Sequence, residues 1–168
     1  APDGLVWMQG AGNVRNQFAA YDPVADTWTS HGAYPGWYPY YSTAEVDPVR
    51  NKLVAVGNDA TIVWDLAKPG DDPVQLATTG DKEIEGGQSP GLAYHPGSGK
   101  LVAWDGGDAV YTLDLESRVW TRIPSTGLVE PGPANTRGTF GRWAYVPSKE
   151  VFIVANEVDR NVFLYRLP

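Results

Sequence analysis

The chain has no cysteine, one methionine and two histidines in 168 residues. Without cysteine there is no disulfide, no thiolate nucleophile and no thiolate-based metal site. His31 and His95 fall on different repeats with no cysteine beside them, a poor zinc set, so neither a metal nor a cofactor is expected. No apolar run reaches the roughly 18 residues of a membrane helix. No stretch sustains a helical period, so essentially no helix is expected. Basic residues are the scarcer charge: 13 Lys and Arg against 20 Asp and Glu leave a formal charge of −7. That balance argues against a nucleic-acid binder, which needs a basic face, and against docking on anionic membranes. It serves solubility instead. The Gly-x-Ser-x-Gly, His-Glu-x-x-His and phosphate-loop patterns are also missing, so no catalytic signature is legible.

What is present is repetition. Gly4-Leu5-Val6-Trp7, Lys52-Leu53-Val54-Ala55, Lys100-Leu101-Val102-Ala103 and Glu150-Val151-Phe152-Ile153 begin at steps of 48, 48 and 50 residues. A period of roughly 40 to 50 residues built from short apolar runs marks a β-propeller-type array. One period is one four-stranded blade, which buries its faces only by stacking on neighbours. The 19 Gly and 14 Pro suit many short strands joined by turns.

Each blade element recurs. An inner strand ends at a proline turn: Ser42 to Val46 before Asp47-Pro48, Gly91 to Tyr94 before His95-Pro96, Trp143 to Val146 before Pro147. Proline cannot donate to a ladder and belongs at such strand ends. The second strands, Leu53 to Val56, Leu101 to Trp104 and Val151 to Val154, are almost wholly apolar, as burial on both faces requires. Turns rich in Gly, Asn and Asp lead into third strands ending at Tyr21, Trp64, Leu113 and Tyr165. Outer strands follow at Asp26 to Thr29, Val74 to Ala77 and Arg118 to Ile123. The expected count is fourteen strands, three, four, four and three, in one partial-propeller domain over residues 1–168, with blades near 4–30, 42–78, 91–123 and 142–168.

The stretch Leu5 to Met8, Gly10, Tyr21-Asp22-Pro23 and Trp28 resembles a kelch repeat, as do Leu101 to Trp104, Gly106-Gly107, Leu113-Asp114 and Trp120. The spacing from Tyr21 to Trp28 equals that from Leu113 to Trp120, so both tryptophans are expected on outer strands, packed against neighbouring sheets. The double glycine is intact only at 106–107, and Lys68 to Pro73 replace the outer tryptophan of the second repeat. The expected fold class is therefore all-β: kelch-like propeller blades, about three and a half of four antiparallel strands each. The tail from Gly141 to Leu167 is similar to the last blade of kelch-like domains in bacterial exported proteins. That resemblance implies a natural C-terminus and an extracytoplasmic home. It assigns no activity.

Propeller ligands meet the face carrying the inter-blade loops, here His31 to Tyr41, Thr78 to Pro90 and Pro124 to Gly141. Trp37, Tyr38 and Tyr40 suit stacking on sugar rings or peptide side chains, and they equally suit packing between blades. Arg137 and Arg142 suit a carboxylate or sulfate; Arg142 equally suits a structural ion pair. Asp59, Asp108 and Asp159 occupy equivalent turns and form a candidate carboxylate ring, although Asp is also a common turn residue. The leading reading is a binding module for a carbohydrate or protein surface. One alternative is a glycan hydrolase or lyase with Glu45 near the axis, although no paired carboxylate is visible. Another is a purely structural half-propeller. The first repeat lacks an inner strand and the last an outer one, so the ring is expected to close with a second copy or with a missing N-terminal half.

Overall fold

The computed structural model describes residues 1–10, 17–33, 40–127 and 129–168. Trp37 and Tyr38 lie outside these residues. Among the described residues fifteen strands form four sheets. Sheet I holds β1 (Val6–Gln9), β2 (Gln17–Asp22) and β3 (Thr27–Ala33). Sheet II holds β4 (Ser42–Asp47), β5 (Lys52–Gly57), β6 (Ala60–Asp65) and β7 (Val74–Gln75). Sheet III is built from β9 (Gly91–His95), β10 (Lys100–Trp104), β11 (Ala109–Asp114) and β12 (Val119–Pro124). The short β8 (Thr79–Gly80) joins its outer edge. Sheet IV holds β13 (Trp143–Val146), β14 (Val151–Val154) and β15 (Phe163–Tyr165). All pairings are antiparallel except β8 on β12.

The extra strand explains fifteen rather than fourteen. Gly80 has φ +81, and a Cβ there would collide with the Trp120 carbonyl, so only glycine lets this segment run beside β12. Helical structure among the described residues is limited to 3-10 turns at Lys82–Gly86 and Phe140–Arg142.

Strand register fixes which residues are equivalent. Val6 lies opposite Tyr21, Leu53 opposite Trp64, Leu101 opposite Leu113 and Phe152 opposite Tyr165. The turn before each second strand carries a residue with positive φ: Gly4 (77), Asn51 (52), Gly99 (65) and Glu150 (52). Both markers align Val6, Leu53, Leu101 and Phe152, at steps of 47, 48 and 51 rather than 48, 48 and 50. The difference matters, because a one-residue slip exchanges the two faces of a strand. The sequence hid it because Leu5 to Met8 and Val151 to Val154 are apolar at every position and show no alternation.

With this frame the packing is regular. Leu53 and Trp64 of sheet II face Phe18 and Trp7 of sheet I. Leu101, Leu113 and Trp120 of sheet III face Val54 and Val56 of sheet II. Phe152 and Val154 of sheet IV face Val102 and Trp104 of sheet III. The inner strands β4, β9 and β13 lie side by side at the hub. Trp120 is 1% exposed, whereas Trp28, its counterpart, is 57% exposed and lies tilted against Tyr21 at 5.0 Å. The expectation that both tryptophans pack against a neighbouring sheet holds for Trp120 and fails for Trp28. No described sheet stands in front of sheet I.

A buried side chain locks sheets II and III together. One carboxyl oxygen of Glu85 accepts hydrogen bonds from Thr61 Oγ1 (2.5 Å), Thr78 Oγ1 (2.7 Å) and Trp120 Nε1 (3.1 Å). At the rim of the same seam Arg50 pairs with Asp47 in its own sheet and with Glu116 across it, each at 2.9 Å. Burying Glu85 without partners would be costly; with three donors it becomes a cross-sheet tie. Glu85→Ala strands the Trp120 N–H in an apolar seam. It should cost about 2–4 kcal/mol, read as a fall in melting temperature of about 6–12 °C, whereas Glu83→Ala on the exposed side of the same turn should leave it nearly unchanged.

Candidate functional site

Three connecting segments enter the inner strands, and backbone hydrogen bonds stitch them into a row. Ser89 N–H donates to Tyr41 O at 2.7 Å, and Ser89 O accepts from Thr139 N–H (2.9 Å) and Phe140 N–H (3.0 Å). Tyr41, Ser89 and Phe140 all have positive φ, at 66, 51 and 46. Non-glycine residues adopt that region at a cost that surrounding structure must offset. Gly57 contributes: it has φ +123, and a Cβ there would collide with Tyr41 O. Only glycine at 57 leaves room for the Tyr41 backbone.

This row forms the rim of an open cavity of about 680 Å³. Trp7 and Gln9 of β1 line one side, Tyr40, Tyr41, Ser42 and Ala44 the next, and Gln88, Thr136, Arg137 and Phe140 the third, with Leu53 also lining it. The cavity lies beside β1, the edge strand of sheet I, where sheets II to IV have an inner strand. Tyr40 and Tyr41 stand 6.5 Å apart, tilted by 52°. Phe140 is 47% exposed, a large ring offered to solvent from a strained position. Arg137 is exposed, and among the described residues no carboxylate pairs with it.

The structure thus brings Tyr40 and Arg137 together and adds Tyr41, Phe140, Gln88, Trp7 and Gln9. Phe140 and Gln88 carried no sequence signal beyond their loops. Trp7 showed one, because it replaces a small or aliphatic residue in an otherwise repeated apolar phrase.

Arg142 has a different position. Its guanidinium donates to the carbonyls of Thr139 (3.2 Å), Asn156 (3.2 Å) and Gly138. Asn156 in turn donates to Pro131 O (3.3 Å) and Pro133 O (2.8 Å). Arg142 therefore braces the loop that carries Arg137 and Phe140. Asp108 pairs with Arg122 at 2.8 Å, and Asp59 donates its backbone N–H to Glu85 O at 2.9 Å. Asp159 lies on the exposed turn after β14. Among the described residues no three acids or histidines group as a metal site would. His31 lies tilted against Trp7 at 5.2 Å and His95 meets Tyr145 edge to face at 5.1 Å, so both histidines belong to aromatic clusters.

Glu45 follows Ala44 on β4, and strand alternation turns it away from the cavity that Ser42 and Ala44 line. Burial raises its carboxyl pKa, since the ionised form loses water; the bond from Val46 N–H opposes this more weakly.

No protein-family model and no curated protein sequence matches the chain. Solved structures do match in shape. The hydrazine synthase of Kuenenia stuttgartiensis superposes with a TM-score of 0.59 at 13% identity, over 98% of this chain and 43% of that one. YjhT gives 0.56 at 15% identity, over 98% of this chain and 62% of that one. TolB from Acinetobacter baumannii gives 0.52 at 11% identity, over 97% and 38%. These are β-propeller-type proteins, and this chain has their fold. It spans between 38% and 62% of the length of these three chains. No helix among the described residues is long and apolar enough to cross a membrane.

The Glu45 environment makes a signed prediction. A raised folded-state pKa means that the fold favours the protonated form. That contribution is complete below the unfolded carboxyl value of about 4.3 and is lost as pH rises through the raised one. Glu45→Gln cannot ionise, so it should melt above the parent near pH 7.5, with the gap closing toward pH 4. A gap independent of pH in thermal melts would refute this account of the burial.

Proposed function

We propose that this propeller chain is a binding module of kelch type, three and a half blades long, whose axial cavity takes an acidic carbohydrate. The observation that carries the reading is the convergence of Tyr40, Tyr41 and Phe140 with the exposed guanidinium of Arg137, which no carboxylate pairs among the described residues, around one open cavity of about 680 Å³. Aromatic faces stack on the C–H faces of sugar rings while their edges and hydroxyls meet polar groups. A guanidinium recognises carboxylate or sulfate through two parallel N–H donors. Gln9, Gln88, Ser42 and Thr136 supply amide and hydroxyl groups for ring hydroxyls. The volume falls in the ordinary range of ligand sites, roughly 300–1,000 Å³. Trp37 and Tyr38, which precede Tyr40 in the sequence, lie outside the described residues, and the proposal does not rest on them.

A glycan role goes with a location outside the cytoplasm, which the resemblance of the tail to exported kelch-like domains also favours. An enzyme reading has less support. Its best acid, Glu45, turns away from the cavity, and no second carboxyl group bonds to it among the described residues. The turn carboxylates Asp59, Asp108 and Asp159 have no part in this reading.

Calorimetric titration with acidic and neutral oligosaccharides tests it. An acidic oligosaccharide should bind, Arg137→Ala should weaken it by about tenfold or more, and Tyr40→Ala should weaken acidic and neutral sugars alike. Binding of the acidic oligosaccharide untouched by Arg137→Ala would reject the anion-recognising role. No binding of any saccharide would reject the carbohydrate reading in favour of a protein surface.

A further inference from the structure

We infer that the chain associates head to tail with a second copy, through two sheet faces that it leaves open. The inference is independent of what the axial cavity binds. In the repeat frame, one set of positions always faces the preceding sheet. Leu101, Ala103 and Trp120 hold it in sheet III and are 0%, 0% and 1% exposed. Their counterparts in sheet I, by register, are Val6, Met8 and Trp28, which are 54%, 38% and 57% exposed. Sheet I therefore carries a face of the type that sheets II and III cover elsewhere in this molecule, with no described sheet in front of it.

The opposite end has the complementary defect. Register places Ala144 opposite Ile153 and Ile153 opposite Leu164, on the face of sheet IV turned away from sheet III. Every one of these residues is apolar, and Leu164 is 66% exposed. Val102, which matches Ile153, is 0% exposed because sheet IV covers it. One end thus presents a face that expects a preceding sheet, and the other a face that expects a following one. The exposure of Trp28 and Leu164 shows that they do not meet within one chain.

Charge points to the same occupant. At the seam between sheets II and III, Arg50 in the turn after the inner strand reaches Glu116, in the turn after the third strand of the next sheet. The matching turn of sheet IV places Lys149 where Arg50 stands, with Glu150 at the positive-φ position of Asn51. Arg166 lies beside it and donates to Lys149 O at 3.1 Å. The matching turn of sheet I runs from Asp22 to Asp26 and contains no cation. Register puts Val24 at the Glu116 position of this turn, so the match is one of turn charge: basic Lys149 and Arg166 at one open face complement acidic Asp22 and Asp26, which flank Val24 and accept only local hydrogen bonds, at the other. Two copies about a two-fold axis make this seam twice and close a ring of eight sheets, within the usual 4–8 blades.

Sedimentation of the purified chain at micromolar concentration tests the inference. The expected species has twice the 18.2 kDa chain mass and dissociates as salt rises. Trp28→Glu and Ile153→Glu alter opposite faces, and each should weaken the dimer by about tenfold or more. Unchanged circular dichroism in each variant shows that the chain still folds. An equimolar mixture of the two variants retains one intact seam, so it should dimerise more tightly than either alone. A parent monomer, a dimer indifferent to both substitutions, or a mixture no tighter than its components would each overturn the head-to-tail arrangement.

Discussion

Everything in this molecule depends on one constraint: a sheet of three to five strands with two apolar faces has no interior of its own. Each sheet becomes stable only when the next one covers it, at distances set by interdigitating side chains. Val54 and Val56 are buried because Leu101, Leu113 and Trp120 lie on them; Val102 is buried because Phe152 does. The polar ties follow from the same need. Glu85 holds the Trp120 indole N–H, the one polar atom of that ring, inside the seam, and Arg50 closes the rim with Glu116. Sequence repetition is the record of this constraint, since each sheet must present both a face for its predecessor and a face for its successor.

The candidate site arises where the constraint is relaxed. Sheets II to IV each carry an inner strand, and sheet I begins with the second strand of the pattern, so space opens beside β1. The connectors into the remaining inner strands then reach the open side. Backbone hydrogen bonds through Ser89 join those connectors, and Arg142 and Asn156 brace the longest of them. Rigidity in an irregular segment is what a binding surface needs, since residues already ordered lose little freedom when a ligand arrives.

The fold was largely legible in the sequence. Fully apolar second strands, proline after inner strands and Gly, Asn or Asp in the turns located the four sheets and their strand order. The exact register was not legible at the two ends. Leu5-Val6-Trp7-Met8 and Val151-Phe152-Ile153-Val154 lack alternation, so only their pairing partners and the positive-φ turns decide which residues face which sheet. β8 escaped notice because it is two residues long and polar, and its pairing, by Thr79 N–H to Arg118 O and Asp81 N–H to Trp120 O, depends on the close backbone approach that Gly80 permits. In the candidate site, Tyr40 and Arg137 stood out by residue type within inter-blade loops. Phe140 and Gln88 did not, because nothing local to them records which distant segment they approach.

Sequence alone determined the repeated apolar phrase, the all-β class and the turn positions, because these depend on local conformational preference and on spacing along the chain. Tertiary structure alone decided the fate of chemically identical residues. Trp28 and Trp120 share their spacing and their position in the sheet, yet one is covered and the other open. Arg137 and Arg142 lie five residues apart; one faces solvent at the cavity and the other holds three backbone carbonyls. Burial, pairing and access are properties of what stands opposite a residue, and in a stacked array that neighbour is supplied by another sheet, remote in the chain.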